Sequence, residues 1–213
     1  MTSLESKGKA LKSYLSQGEK FSVVQAFQII KQVLFAVKEV HEAGFLHLDI
    51  QDGNVFIKGS LSEEDNLVSL VDFGAARPVC EDGLCPVIRD RALFSTIGFE
   101  SPEIVGHNDG TLRLGAEADL YSVGYLLLLM LTGKRYTQRE LDSANIGLYL
   151  SKRKLKKLNC PAHMADKVHQ IISKALKKTP EERYHSCEEM LADVSDLIHA
   201  LQPYKSDLSQ VVY

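Results

Sequence analysis

The chain has 213 residues, of which 45% are hydrophobic, and its formal net charge at pH 7 is −3. This length and composition suffice for one sizeable hydrophobic core or two small ones. The weakly acidic balance gives no general reason to expect nucleic acid or an anionic membrane as a partner. The apolar run at residues 125–131 is too short to cross a bilayer, which needs about 20 apolar residues.

The four cysteines form no dense framework, and the first residues do not resemble a signal peptide. These cysteines are Cys80, Cys85, Cys160 and Cys187. A cytoplasmic protein with reduced thiols is therefore expected.

The first part of the chain predicts a short helix followed by a long one. After a polar start, residues 10–15 have the composition of a short helix. Ser22 stands where an N-cap belongs, and Gln25 three residues later completes a possible capping box. Apolar residues then recur at three- and four-residue steps, and Gly44 is a plausible C-cap. The pattern predicts one long helix with a single buried face.

A polar loop follows this helix and carries Asp49 and Asn54, and a β-like run comes directly after it. A second β-like run leads into Asp72. Loops at strand ends allow a rigid scaffold to hold such side chains together. Three oxygen-bearing side chains suit a hard cation such as Mg2+ that carries substrate phosphates, and Asp49 could also accept a hydroxyl proton.

The second half predicts a loop, a buried helix and a solvated basic helix face. Proline and glycine breakers predict a long loop over residues 75–95. Residues 125–131 are apolar on every side, which suits a helix surrounded by protein, and the buried helix is predicted over residues 118–131. The basic run at 151–157 is typical of a solvated helix face. The fold is therefore predicted to be mainly α with short β hairpins, and its strand segments lie at 46–47, 55–57 and 68–71.

The ordered set of motifs resembles the catalytic core of the protein kinases. These motifs are His47-Leu48-Asp49 with Asn54, Asp72-Phe73-Gly74, Thr96 and Phe99 before Ser101-Pro102-Glu103, Asp119, and Arg183. The resemblance implies a kinase-like C-terminal lobe at residues 16–202. A hinge remnant and first helix would precede it at 1–15, and a flexible tail would follow at 203–213. The small lobe is expected upstream in the same polypeptide, because no glycine-rich loop or lysine strand precedes the lobe.

By resemblance, ATP and Mg2+ are the cosubstrate and the cofactor, and a protein serine or threonine is the acceptor. Asp49 would act as base or orient the acceptor hydroxyl, with Thr96 beside it. Asn54 and Asp72 would hold the metal ion. Gln51 stands where the family has a lysine that steadies the transferred phosphate, and a neutral amide cannot supply that charge.

The resemblance also assigns residues around this chemistry. Phe56 would form the floor under the adenine, and Phe99 would help line the pocket for the residue after the phosphoacceptor. Asp119 would anchor the backbone of the catalytic loop, and Glu103 would pair with Arg183. Packing roles are implied for His47, Phe73 and Gly74.

Three functions compete: the lobe of an active serine/threonine kinase, a pseudokinase-type scaffold, and a small-molecule kinase. The retained Asp49, Asn54 and Asp72 favour the first function, whereas Leu48 in place of the family's arginine and Gln51 favour the second. The Ser-Pro-Glu, Asp119 and Arg183 features speak against the third.

The isolated chain is expected to bind ATP poorly. It is also expected to self-associate through an apolar face formed by Leu4, residues 55–57 and Phe73.

Overall fold

The computed structural model describes residues 8–59, 67–88, 98–106, 111–143 and 146–202. Within these ranges the helices are α1 (Leu11–Ser16), α2 (Val23–Glu42), α3 (Pro102–Gly106), α4 (Ala116–Thr132), α5 (Gln138–Ser143), α6 (Ile146–Tyr149), α7 (Lys152–Lys157), α8 (Ala165–Ala175) and α9 (Cys187–Leu201). Two 3-10 turns lie at Ala162–Met164 and Pro180–Glu182. The strands are β1 (Lys9–Ala10), β2 (Phe45–Leu46), β3 (Val55–Lys58), β4 (Leu67–Leu70), β5 (Arg77–Pro78), β6 (Cys85–Ile88) and β7 (Thr111–Leu114).

The strands form three small antiparallel sheets. The largest has the order β1-β3-β4, with Val55 opposite Leu70. The other two are the pairs β2–β5 and β6–β7. The mainly helical fold with short β pairs is thus confirmed.

Helix α4 forms the centre of the main core, as its all-round apolar sequence predicted. Every residue from 118 to 131 is buried. Helices α2 and α8 pack against it, and α9 packs against α2. Gly124 allows the close approach of α8, because a Cβ at that position would collide with the Cβ of Ala175.

Helix α2 begins with the predicted capping box. The Ser22 hydroxyl accepts from the Gln25 backbone N–H at 3.2 Å, and the Gln25 side chain accepts from the Ser22 backbone N–H at 2.9 Å. The helix ends at Glu42 with Ala43 as its C-cap, one residue before the predicted Gly44. Gly44 instead has the positive φ of 81° that reverses the chain after the cap.

The prediction of a continuous loop over 75–95 is wrong in two places, because β5 and β6 lie within it. Both strands depend on distant partners: Pro78 lies opposite Phe45, and Cys85 opposite Leu114. The predicted strands at 46–47 and 68–71 each begin one residue earlier than expected.

A second, smaller apolar cluster connects the β6–β7 pair to the start of α4. Its buried members are Leu46, Cys85, Ile104, Leu114 and Ala118. All four cysteines are free thiols. None of the helices described has both the length and the apolar character that crossing a bilayer requires. The predicted flexible tail at 203–213 and most of the predicted hinge remnant lie outside the described residues.

Candidate active site

The polar loop after β2 is held by Asp119, which lies fully buried in the first turn of α4. Its two carboxylate oxygens accept from the backbone N–H groups of His47 and Leu48, each at 2.8 Å. The Nε2 atom of His41, at the end of α2, lies 2.8 Å from the same carboxylate. Leu48 has a φ of 61°, which is unfavourable for a residue with a branched side chain. The bonds to Asp119 therefore stabilise a loop conformation that the local sequence does not favour.

Asp49 is oriented by two side-chain amides from its own loop. Asn54 Nδ2 donates to Asp49 Oδ2 at 2.8 Å and to the Asp49 backbone carbonyl at 2.9 Å. Gln51 Nε2 donates to Asp49 Oδ1 at 2.8 Å. Burial raises the pKa of Asp49, and the Asp72 carboxylate adds to this effect, while the two amide donors oppose it. Each carboxylate oxygen keeps a lone pair with which it can accept a further hydrogen bond.

His47 is a packed core residue. Its ring is fully buried and lies 5.0 Å from the Phe73 ring, measured between centroids. Its Nδ1 accepts from the Asp49 backbone N–H at 3.3 Å. Burial lowers the pKa of His47, against the opposing charges of Asp119 and Asp49. A neutral imidazole that shapes the loop accounts for these contacts.

Asp72 follows β4 next to Asn54. The Val71 backbone N–H donates to the Asn54 carbonyl at 2.9 Å, which links the two segments. Asp72 has a φ of 66° and is exposed, and its Oδ1 accepts from the Gly74 backbone N–H at 3.2 Å.

This donor set fits a hard cation. The Asn54 amide nitrogen is committed to Asp49, so its oxygen is the atom left for a ligand. Among the residues described, no group of three or more His, Cys, Asp or Glu side chains could hold a metal ion by itself. The Asn54 amide oxygen and the Asp72 carboxylate are hard oxygen donors of the kind that Mg2+ takes from proteins, with waters and substrate phosphates as its other ligands.

Phe99 is fixed against α4. Its carbonyl accepts from the Ser122 hydroxyl at 2.7 Å, and its ring meets the Tyr125 ring edge-on at 4.8 Å. The ring is nearly fully buried, and the Arg135 guanidinium lies over it at 5.3 Å from the ring centre. The Phe99 ring therefore lies between α4 and the Arg135 guanidinium.

Arg183 connects helix α3, which follows the Phe99 segment, to the residues directly after helix α8. Its Nη1 and Nη2 donate to the two carboxylate oxygens of Glu103 at 2.8 and 2.6 Å. Its remaining donors reach the backbone carbonyls of Lys177, Lys178 and Glu117. The side chain is fully buried, so this bidentate pair is shielded from water.

Gln51 and Leu48, the two residues that differ from the kinase template in this loop, both make defined contacts. The Gln51 side chain donates to the Asp49 carboxylate within the same loop. Leu48 packs against the second apolar cluster, next to Val79 and Leu112. An arginine at this position would place a charge against that apolar surface.

The apolar face expected at residues 55–57 is corrected by the structure. Val55 and Ile57 are buried in the main core, because they lie on the same face of the sheet as Leu70 of the neighbouring strand β4. Phe56 points to the other side and is half-buried, and Phe73 is 52% exposed. Thr96 and Leu4 lie outside the described residues.

Sequence reasoning missed an ion pair in the same loop. Arg135, in the turn after α4, donates from Nη2 to both carboxylate oxygens of Asp52, each at 2.8 Å. No local pattern connects two residues that stand 83 positions apart.

A model of the family described as "Protein kinase domain" matches residues 3–194 of the chain. The chain belongs to the protein kinase family. The resemblance in its ordered motifs is thereby confirmed, and the kinase fold organises the contacts described above.

Its relatives include serine/threonine-protein kinases from bacteria and animals. The probable serine/threonine-protein kinase PknB of Lactococcus lactis is 26% identical over 188 residues, covering 88% of this kinase chain and 28% of that protein. The serine/threonine-protein kinase PLK4 of Drosophila grimshawi is 30% identical over 183 residues, covering 85% of this chain and 22% of that protein. The probable serine/threonine-protein kinase zyg-1 of Caenorhabditis briggsae is 34% identical over 126 residues, covering 59% of this chain and 16% of that protein. The kinase chain thus spans less than a third of the length of these relatives.

Proposed function

We propose that this chain is the C-terminal lobe of a cytoplasmic serine/threonine protein kinase. In the full-length protein, with a nucleotide-binding lobe upstream, it transfers the γ-phosphate of ATP to a protein serine or threonine. The observation that carries the proposal is the Asp49 carboxylate, which Asn54 and Gln51 orient within a loop held by Asp119. The four free thiols agree with a reducing compartment.

Asp49 acts on the acceptor hydroxyl. Its carboxylate is fixed by two amide donors and still has lone pairs for the hydroxyl proton. Burial raises its pKa, which makes it a stronger base than an exposed aspartate. Transfer then depends on the positioning of hydroxyl and phosphate more than on covalent chemistry by the protein.

Asn54 and Asp72 are the residues that would hold Mg2+. When bound, Mg2+ neutralises charge on the phosphate oxygens. Phe56, half-buried beside Ala10, would support the adenine ring.

The proposal is tested by replacing Asp49 with asparagine in the full-length protein. Loss of the base is expected to lower kcat by about a hundred- to ten-thousand-fold. Because the carboxylate must be ionised and its pKa is raised, wild-type activity should fall with decreasing pH before an ordinary aspartate would protonate. Radiolabelled phosphate transfer to serine and threonine peptides gives the measurement. Asp196→Asn, an exposed change on α9, is the matched control, and equal activity of the two variants would refute the role of Asp49.

A pseudokinase-type scaffold is the second candidate, because Gln51 supplies no charge and is already bonded to Asp49. The same assay separates the two functions. A full-length protein that binds ATP with Mg2+ but transfers no phosphate would favour the scaffold.

We also propose that the 213-residue chain self-associates through exposed apolar side chains around β4. Leu67 is 63% exposed and Phe73 52% exposed, with Val71 between them in sequence. Light scattering at tens of micromolar should show dimers or larger species, and Phe73→Ser should weaken them. Leu148→Ser removes an even more exposed leucine, on α6, and should leave association unchanged. A strictly monomeric wild-type chain would contradict this expectation.

A further inference from the structure

The Arg135 guanidinium is held beside the loop that carries Asp49. Its Nη2 donates to both oxygens of Asp52, which is only 2% exposed and lies in the same loop as Asp49. The same guanidinium lies over the Phe99 ring. Contacts from two directions therefore fix the charged group between the catalytic loop and the Phe99 segment.

A buried carboxylate needs a counter-ion, so pairing with Asp52 could be the whole purpose of Arg135. This ion pair uses only part of the Arg135 guanidinium, however. Nη2 alone serves Asp52, and the Arg135 side chain remains 43% exposed. Among the residues described, Nη1 and Nε have no hydrogen-bond acceptor. Three N–H donors of a rigid fork are therefore preorganised for an incoming anion.

Helix α7, which contacts the turn of Arg135, is strongly basic. Lys154 Nζ donates to the Thr132 carbonyl at 3.2 Å, which places α7 against the turn that carries Arg135. Arg153, Lys156 and Lys157, on the same helix, are exposed. Such a surface attracts anionic segments and disfavours basic ones.

We infer that Arg135 is a specificity-determining residue that binds an anionic side chain next to the acceptor serine or threonine of the substrate. This inference rests on the proposed function and names its substrate class as acidic peptides. A carboxylate and a phosphate both match the guanidinium fork. The bound group is therefore either an aspartate or glutamate, or a residue phosphorylated beforehand.

The first test measures binding by the 213-residue chain and does not need catalysis. Four peptides share a neutral sequence with a central serine, and the next residue is alanine, glutamate, phosphoserine or lysine. The Nε–Hε resonance of Arg135, followed by nuclear magnetic resonance, should shift with the glutamate or phosphoserine peptide and remain unchanged with the other two. The peptide that gives the larger shift identifies the source of the anion. Equal responses to the alanine and glutamate peptides, with none to phosphoserine, would overturn the inference.

The second test compares variants in the full-length protein. Arg135→Lys keeps a positive charge for Asp52 but loses the fork. It should reduce the preference for the anionic peptide, measured as a ratio of kcat/KM values, by at least about tenfold. Arg113→Lys is the matched control, because Arg113 also pairs with an aspartate, Asp82, and is half-exposed elsewhere on the surface.

The outcomes separate the inference from the proposed function. An unchanged preference in Arg135→Lys would overturn the specificity role while phosphate transfer stands. Anion-selective binding by a protein that transfers no phosphate would support the role of Arg135 and reject catalysis.

Discussion

Replacing Asp72 with alanine is expected to lower phosphate transfer by the full-length protein at least about a thousandfold, because metal binding contributes several kcal/mol to such reactions. Asp72 is exposed next to Asn54, and within the described residues its Oδ1 alone accepts a hydrogen bond, from the Gly74 backbone N–H. Asn54 has its amide nitrogen committed to Asp49. Without the Asp72 carboxylate, the site keeps a single neutral oxygen ligand.

The measurement is the initial rate as a function of Mg2+ concentration. Asp72→Ala should show almost no activity at any concentration, whereas Asp72→Glu should recover part of it at high Mg2+. Asp196→Ala removes an exposed carboxylate on α9 and should match the wild type. Retention of activity by Asp72→Ala would show that the metal is held elsewhere.

Features that depend on neighbouring residues were predictable from the sequence. The capping box joins Ser22 and Gln25 within one helical turn, and α2 starts there. Helix α4 could be recognised because its apolar residues surround the axis, which only a helix enclosed by protein tolerates.

Features that depend on distant partners were not predictable in this way. Strands β5 and β6 contain Pro78 and Pro86, and proline normally argues against a strand because it cannot donate to the ladder. Each strand exists because a partner more than 20 residues away in the chain supplies its hydrogen bonds. That information is absent from the local pattern.

In the candidate site, too, local motifs were predictable and contacts between distant residues were not. The ordered motifs identified Asp49, Asn54 and Asp72, which the structure brings together through a short loop and a single strand pair. The pair of Asp52 and Arg135 was missed, since Asp52 is one of the four unspecified residues between Asp49 and Asn54 in the motif, and Arg135 belongs to no motif. Its discovery required the fold.

Replacing Arg183 with methionine is expected to destabilise the protein by about 3–5 kcal/mol, the usual cost of breaking a buried ion pair by removing one partner. The guanidinium is fully buried and also satisfies the backbone carbonyls of Lys177 and Lys178. Methionine fills similar space but offers no donor, so the Glu103 carboxylate loses its countercharge. Denaturant unfolding of the 213-residue chain measures the change.

Two further variants show whether the loss comes from the ion pair. Lys177→Met makes the same chemical change six residues earlier, where the side chain pairs with Glu182 on the surface, and it should cost less than about 1 kcal/mol. Glu103→Leu combined with Arg183→Met removes both charges, so it should recover part of the single-variant loss. If Arg183→Met were no more destabilising than Lys177→Met, the buried pair of Arg183 and Glu103 would not be a major source of stability. The absence of recovery in the double variant would instead assign the stabilisation to the carbonyl contacts of Arg183.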